Sequence, residues 1–451
     1  MKKIGFVIPW YGEDIPGGAE MELRNLAHQL SKRQVELEIL TTCVKSFSSD
    51  WSTDYHKPGL TQEAGLAVRR FKVRRRDTPR FDAVNYKLMN NIPINADEEQ
   101  IYIRESVNSP DLYEYISSHK GDYSYFIFIP YMFGTTYYGA LACLKKAVFI
   151  PCLHDESYAK LDIFRKLFPR VRGLLFNAKP EEKLANDLYD LSNVKTRVLG
   201  IGMDTGITGD PGRFRDKYRI SGPFILYAGR KDAGKNVDLL IRYFAEYKQR
   251  RRDGLKLVII GGGRLDIPAR YSEDVIDLGF VDIQDKYDAY AACSVFCQPS
   301  RAESFSLVIM ESWLLGSPVL VNDVCEVTRN FAQESNGGLY FKNYLEFEGC
   351  LRYILNHQDE ARQMAQNGRE YVLKNFSHDA VCGSLMEFLE QLDAQAQLDS
   401  QEDAPKADAE EAEATEDVEA AEDAEAAEDA EAAEDVEAAE DGASEEDMEG
   451  R

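Results

Sequence analysis

The chain has 451 residues and a formal net charge of −25, too long for one ordinary core, so two domains are the default. The charge is lopsided: residues 399–451 hold 25 acids against Lys406 and Arg451, a net of −23, which leaves the body of the chain near −2. A nearly neutral body removes a whole-protein electrostatic case for nucleic acid, and eight scattered cysteines form no disulfide or metal-ligand framework and suit a reducing cytoplasm.

The opening "MKKIGFVIPWYG" carries only a short apolar run before glycines and acids, which predicts a first buried strand rather than a signal segment. That strand ends in "WYGEDIPGGAE", where Gly17 and Gly18 precede a helix with Leu23, Leu26, Ala27 and Leu30 at helical spacing. Further β-type runs follow as "ELEILTT", "AVRRFKV", "YFIFI", "AVFIPCL" and "GLLFN". The apolar stretch from Tyr125 to Leu144 approaches membrane-span length, but Pro130 and Gly134 split it into a strand and a small-residue helix, so no transmembrane segment is expected.

The Gly-, Asp- and Pro-rich "VLGIGMDTGITGDPGRF" reads as a linker between a first domain, 1–205, and a second, 206–375. The second repeats the logic with "FILYAG", "LKLVIIGGG", "VIDLGF", "SVFCQPS" and "PVLVN", interleaved with helical patterns. A last helix within 376–395 is expected to pack back on the first domain. After it, 396–451 form an acidic tail with a six-residue Glu-Asp-Val/Ala-Glu-Ala-Ala repeat, for which disorder is expected. Strands rich in Val, Ile, Leu and Phe between helices mean an α/β class with parallel sheets covered on both faces.

Ligands of doubly wound sheets sit beyond the C-terminal strand ends. The groups there are Gly17 and Gly18, then His154 with Asp155 and Glu156, then Arg230 and Lys235, then Glu303. Together they suggest a site for an anion and a sugar. Glu311 poses a separate question. With about 100° per residue from Ser306, Met310, Leu314, Leu307, Leu315 and Val308 share an arc centred on Glu311, while Ile309, Ser312 and Trp313 fall outside it. A carboxylate on an apolar arc is costly unless paired, and a structural partner and a ligand hydroxyl are equal readings of it. "GRKDAGKN" (Gly229 to Asn236) resembles a phosphate loop, but Asn236 replaces the hydroxyl residue that would hold magnesium. A P-loop NTPase is therefore not expected.

Taken in order, these motifs resemble the GT-B glycosyltransferases of family 4. The resemblance rests on "PGGAE", "YAGRKDAGKNVDLLI", "LVIIGGG", "LGFVDIQDKYDAYAACSVFCQPS", and the Glu303-x7-Glu311 element followed by Gly316 and Pro318-Val319. It implies two Rossmann-like domains with a cleft between them, a nucleotide-diphosphate-sugar donor, retention of anomeric configuration, and no metal or cofactor. Carried over by position, Arg230 and Lys235 would stabilise the leaving diphosphate. Glu303 would contact sugar hydroxyls, Glu311 the ribose, His154 the transferred sugar, and Gly17 and Gly18 the diphosphate or acceptor. The backbone at Phe280 and Val281 would flank the base, with Ser304, Phe305 and Ser306 beside the donor. This sequence departs from the family's "EGFG" with "ESFS", where Ser304 and Ser306 replace glycines and could cap the following helix.

The acceptor expected is a glycan or a lipid-linked one, in cell-surface polysaccharide synthesis. Six cations within "AVRRFKVRRRD" raise peripheral contact with an anionic membrane at the cytoplasmic face. Competing readings are a hydrolase using Glu303 and Glu311 as a carboxylate pair, a nucleotide-sugar epimerase of the same architecture, and a non-catalytic scaffold that uses the acidic tail.

Overall fold

Strand runs that are apolar on both faces need cover on both faces, and both sheets of the protein have it. In the computed structural model, which describes residues 2–15 and 17–402, the first sheet has eight strands. These are β1 (Lys3–Val7), β2 (Leu37–Thr42), β3 (Gly59–Glu63), β4 (Leu66–Phe71), β5 (Tyr123–Phe128), β6 (Ala147–Phe149), β7 (Gly173–Phe176) and β8 (Lys195–Val198). Their order is β3-β4-β2-β1-β5-β6-β7-β8, parallel throughout except for the β3–β4 hairpin. The second sheet holds β9 (Phe224–Ala228), β10 (Lys256–Ile260), β11 (Val275–Gly279), β12 (Val295–Gln298), β13 (Val319–Asn322) and β14 (Gly338–Phe341). It is ordered β11-β10-β9-β12-β13-β14 and is wholly parallel.

That second order is the doubly wound 3-2-1-4-5-6 pattern, with its switch point between β9 and β12. In the first sheet the order reverses between β1 and β5. Each switch point opens a crevice at the C-terminal strand ends, so the fold alone nominates the loops after β9 and β12 in one domain and after β1 and β5 in the other. The two domains have the GT-B architecture.

One face of the first sheet is covered by its own helices. The other buries Ile4, Phe6, Ile127, Val148 and Leu175 against Leu23, Leu26 and Leu30 of the helix Gly18–Lys32 and against Val381, Leu385, Phe388, Leu389 and Leu392 of the last helix, His378–Glu402. Tyr125 donates to Asp393 Oδ1 at 2.6 Å and Arg172 to the Leu392 carbonyl at 2.8 Å, which fixes that helix lengthwise. The helix continues past the expected boundary at 395, and the acidic chain beyond Glu402 lies outside the described residues. Two crossings join the domains side by side, bridged between Met203 and Ser377. Within the expected linker a helix, Pro211–Tyr218, starts where Asp210 accepts from the Gly212 and Arg213 amides at 2.8 and 3.1 Å.

Three strands have no counterpart among the sequence-derived runs: β3, β8 and β14. All lie at sheet edges and are four or five residues long; β3 is exposed along four of its five residues, β8 has no fully buried residue, and β14 buries only Phe341 fully. Edge strands need no continuous apolar run, so hydrophobic patterning does not register them.

Candidate active site

The second domain's switch point is assembled from two loops that the backbone ties together. After β12, the Pro299 carbonyl accepts from Asn236 Nδ2 at 3.1 Å and from Asn322 Nδ2, at the end of β13, at 3.0 Å. Asn236 sits in the left-handed region, at φ 57°, which asparagine tolerates better than most residues. The residue that spoils the phosphate-loop pattern therefore holds one switch-point loop against the other.

That tie places Lys235 beside Glu303. The Lys235 ammonium lies 2.7 Å from Glu303 Oε1 and 2.9 Å from Oε2, with side chains 25% and 10% exposed. Gln298, the last residue of β12 and itself buried, donates from Nε2 to Glu303 Oε1 at 2.8 Å and to Ser300 Oγ at 3.0 Å. Two expected residues thus meet in one partly buried ion pair. Arg230 does not join them: its side chain is 78% exposed and its nearest carboxylate is Asp232 at 3.3 Å. Its backbone is held, since Tyr227 donates to the Arg230 carbonyl at 2.6 Å.

Glu311 calls for a correction. In the helix Leu307–Leu314, the fully buried residues include Ile309, Ser312 and Trp313, the three expected off the apolar arc. Leu307, Val308 and Leu315, grouped with Glu311, are only half-buried. Neighbours cover this helix nearly all round, so tertiary packing rather than helical periodicity decides which side is deepest. Trp313 donates to the Gly337 carbonyl at 2.8 Å, and a Cβ at Gly368 would collide with its ring. Glu311 pairs with Lys286 at 2.9 Å, and its Oε2 is buried beside the Tyr290 phenol. Burial, then the Glu311 charge, push the Tyr290 phenol well above its ordinary value.

Ser306 occupies the N-cap position at φ 93°, ψ 75°, and its buried hydroxyl makes no capping bond. Side-chain capping uses an extended backbone at that position, so the expected cap is corrected: the left-handed geometry defeats it. Phe305, expected beside the donor, turns its side chain into the core. Its ring is 1% exposed and packs edge-on against Phe331 and Phe376 at 5.2 and 4.9 Å, inside the core. Ser304 is half-buried beside it. Phe280 is 86% exposed, adjacent to the Gly262 turn, and Val281 packs on the second-domain core.

On the first domain, Gly17 and Gly18 open the helix Gly18–Lys32; a side chain at Gly17 would collide with Glu20, which accepts from Trp10 Nε1. His154 follows β6, half-buried, with Nδ1 3.0 Å from the Leu153 carbonyl. Burial raises the Glu156 carboxyl, which accepts from Tyr131 at 3.1 Å. Beneath these loops lies an acid pair that sequence patterns do not reveal. Asn177 Nδ2 donates to Glu22 Oε2 at 3.1 Å, while Glu181 accepts from the Leu153 and Asn177 amides, both at 2.6 Å. Burial, then the Glu181 charge, push Glu22 up to about 8. No signal short of the fold announces that pair. Gln298 does have one, as the polar residue that ends a buried apolar strand.

The basic run is mostly folded inward. Arg69 pairs with Glu38 at 2.6 Å, buried Arg70 with Glu63, and Arg74 with Glu105 at 3.2 Å, while Arg76 lies 4.5 Å over the Trp51 ring. Lys72 and Arg75 remain exposed. Of the six cations expected at a membrane-facing surface, these two alone are exposed. Among the described residues, no helix is long and apolar enough to cross a membrane.

Comparisons with known proteins agree with this layout. The D-inositol 3-phosphate glycosyltransferase of Frankia alni is 25% identical over 331 residues, covering 67% of this chain and 77% of that protein. The same enzyme from Acidothermus cellulolyticus is 32% identical over 174 residues, covering 34% of this chain and 39% of its own length. A Campylobacter jejuni N-acetylgalactosaminyltransferase acting on a diphospho-undecaprenol acceptor is 29% identical over 233 residues, covering 49% of this chain and 61% of its own. The chain thus spans less than two thirds of the Acidothermus and Campylobacter proteins.

In fold, it is similar to sucrose-phosphate synthase from Thermosynechococcus elongatus (TM-score 0.63, 16% identity, 88% of this chain and 100% of that one). It is also similar to Anabaena HepE in complex with UDP-glucose (TM-score 0.58, 16% identity, 87% of this chain and 100% of that one). The family model described as "Glycosyl transferases group 1" matches residues 213–371, the segment that carries Arg230, Lys235, Gln298, Glu303 and Glu311 on a chain of GT-B fold.

Proposed function

We propose that the protein is a retaining glycosyltransferase that moves a sugar from a nucleoside-diphosphate donor to a glycan or lipid-linked acceptor. The observation that carries this reading is the Lys235–Glu303 pair at the second domain's switch point, inside the segment matched to glycosyl transferases group 1. One cation and one carboxylate stand where a donor's diphosphate and sugar would need them. In transfer, the bond from the sugar C1 to the diphosphate oxygen breaks and its electron pair leaves with the diphosphate. The acceptor hydroxyl bonds to C1, and its proton passes to the leaving diphosphate.

Negative charge grows on the diphosphate as that bond stretches, so cations aimed there stabilise the transition state more than the ground state. Lys235 is one such cation, and exposed Arg230 is free to swing onto the same group. Glu303 receives sugar hydroxyls, Glu311 the ribose, and the Phe280 ring offers a face beside the base. Gly17 and Gly18 leave room for the diphosphate or acceptor, and His154 meets the sugar from the other domain. This chemistry calls for no metal or cofactor.

Two relatives named for inositol phosphate and diphospho-undecaprenol acceptors support an acceptor bearing phosphate. Cell-surface polysaccharide or glycolipid synthesis at the cytoplasmic face of a membrane is the setting proposed, with Lys72 and Arg75 as the cations that meet anionic headgroups.

The test is turnover of UDP-, GDP-, ADP- and TDP-sugars by the wild type, Glu303→Ala and Arg230→Ala. Nucleotide release from one donor, lost in both variants, is expected. No turnover and no binding of any donor would overturn the reading and favour a scaffold. Interconversion of donor sugars without transfer would favour an epimerase.

A further inference from the structure

The Glu303 carboxylate has a second buried partner besides Lys235. We propose that Gln298 is a positioning residue, holding Glu303 in register for the donor sugar when Lys235 turns to the diphosphate, and that the Lys235–Glu303 pair is the resting latch of the empty site. The inference rests on the transferase reading above.

Gln298 is 2% exposed and is set in the sheet opposite Val321 of β13, so its backbone has little freedom. Both hydrogens of its amide nitrogen are used, one on Glu303 Oε1 at 2.8 Å and one on Ser300 Oγ at 3.0 Å. This fixes the amide orientation, because the alternative would face a carbonyl oxygen against the carboxylate. The amide pays for it: Gln298 Oε1 is buried with no hydrogen-bond donor. Native proteins hold few such orphaned acceptors, and each calls for a reason. Here the reason is the aim of the nitrogen.

Lys235 occupies both Glu303 oxygens, at 2.7 and 2.9 Å, the place a phosphate oxygen would take on that ammonium. A diphosphate carries more charge than a carboxylate and would draw the ammonium away. Glu303 then keeps one side-chain anchor, Gln298. An amide is the right anchor for this task, since it orients the carboxylate without neutralising it. The remaining lone pairs of both oxygens stay available for sugar hydroxyls.

The experiment measures affinity for UDP-glucose and for UDP in the wild type, Gln298→Met, Gln298→Asn and Glu303→Ala. GDP-mannose with GDP, or ADP-glucose with ADP, replaces the first pair if the wild type prefers it. Methionine keeps length and apolar volume but removes the donor; asparagine keeps the amide but shortens its reach. Both are expected to weaken sugar-nucleotide binding about tenfold, the scale of one hydrogen bond to a charged group, and to leave the sugar-free nucleotide unchanged.

In the Glu303→Ala background, Gln298→Met is expected to have no further effect, because a residue acting through another loses its effect when that one is gone. Thermal unfolding checks that the variants fold, and asparagine serves if methionine does not. Equal losses for sugar nucleotide and free nucleotide, or no loss in either variant, would overturn the inference while leaving the transferase reading intact. A wild type that binds none of the three sugar nucleotides would take down both.

Discussion

The two switch-point crevices of this protein are built differently. In the second domain, opposite charges converge: Lys235 on Glu303, Lys286 on Glu311, and two asparagine amides on one carbonyl. In the first, charges are put away: Glu22 and Glu181 are buried under the loops, and Arg70 turns inward to Glu63 and the Tyr11 carbonyl. A crevice made of paired charges is poised to exchange its own partners for those of a charged ligand. A rim of inward-turned charges instead stabilises its loops and leaves recognition to shape and to a few exposed groups. This contrast suits a fixed donor half and an acceptor half whose partner the sequence does not name.

The largest expected effect lies on the charged side. Lys235→Ala removes the cation beside the proposed leaving group and should lower turnover of the preferred sugar nucleotide by about 100-fold or more. Steady-state kinetics reads it, and near-normal turnover would erase the contrast, leaving two structural rims.

Next in size is a pH effect on the first domain. Glu22 titrates at about 8 when folded, against roughly 4.3 for an ordinary unfolded glutamate. Between those values the folded state holds a proton that the unfolded state has lost, so stability falls as pH rises through that window and levels off above it. The slope contributed is on the order of 1 kcal/mol per pH unit. Burial pushes Glu181 up to about 8 as well, so thermal unfolding from about pH 5 to pH 8 should show a decline that Glu22→Gln roughly halves and that Glu22→Gln with Glu181→Gln flattens. An unchanged slope in both variants would mean the acids are ionised throughout.

A third effect sharpens the outer surface of the same domain. Lys72→Glu with Arg75→Glu should weaken sedimentation with phosphatidylserine vesicles by roughly thirtyfold or more, given about 1 kcal/mol per cation at such a surface. Wild type that does not bind these vesicles would remove the membrane from the proposed setting. The smallest effect concerns Ser306, at φ 93° with an unpartnered buried hydroxyl. Ser306→Gly should raise stability by about 1 kcal/mol or less, visible as a small rise in Tm. A fall would mean that the hydroxyl has an unrecognised partner.

Much of the second domain's switch point is legible in the amino-acid sequence. Strand ends can be found from apolar runs, and the rule that ligands gather there brings Lys235 and Glu303 into one site although 68 positions separate them. Arg230 falls on the loop after β9 by the same rule, but no pattern in sequence tells whether a long side chain turns inward. The wheel through Glu311 fails because the helix carrying it is wrapped by neighbours, which leaves no single apolar stripe to locate. Phe305 and Ser306 illustrate a different limit: a motif marks residues on a loop, not whether their side chains face the crevice or the core. Arg70 shows the same for charge, because a buried arginine and a membrane-facing one look alike until Glu63 and the Tyr11 carbonyl are beside it.

Everything proposed for the donor half depends on the donor binding where Lys235 and Glu303 meet. Hydrogen–deuterium exchange with and without the preferred sugar nucleotide probes that place without assuming turnover. The expected result is new protection in residues 229–236 and 299–307. The protein offers a rival: a cavity of about 370 Å³ lined by Tyr247, Arg251, Arg352 and Gln358, beside Pro223 and Leu255, at the opposite ends of β9 and β10. Protection confined to that cavity, with both switch-point loops unchanged, would refute binding at the Lys235–Glu303 pair.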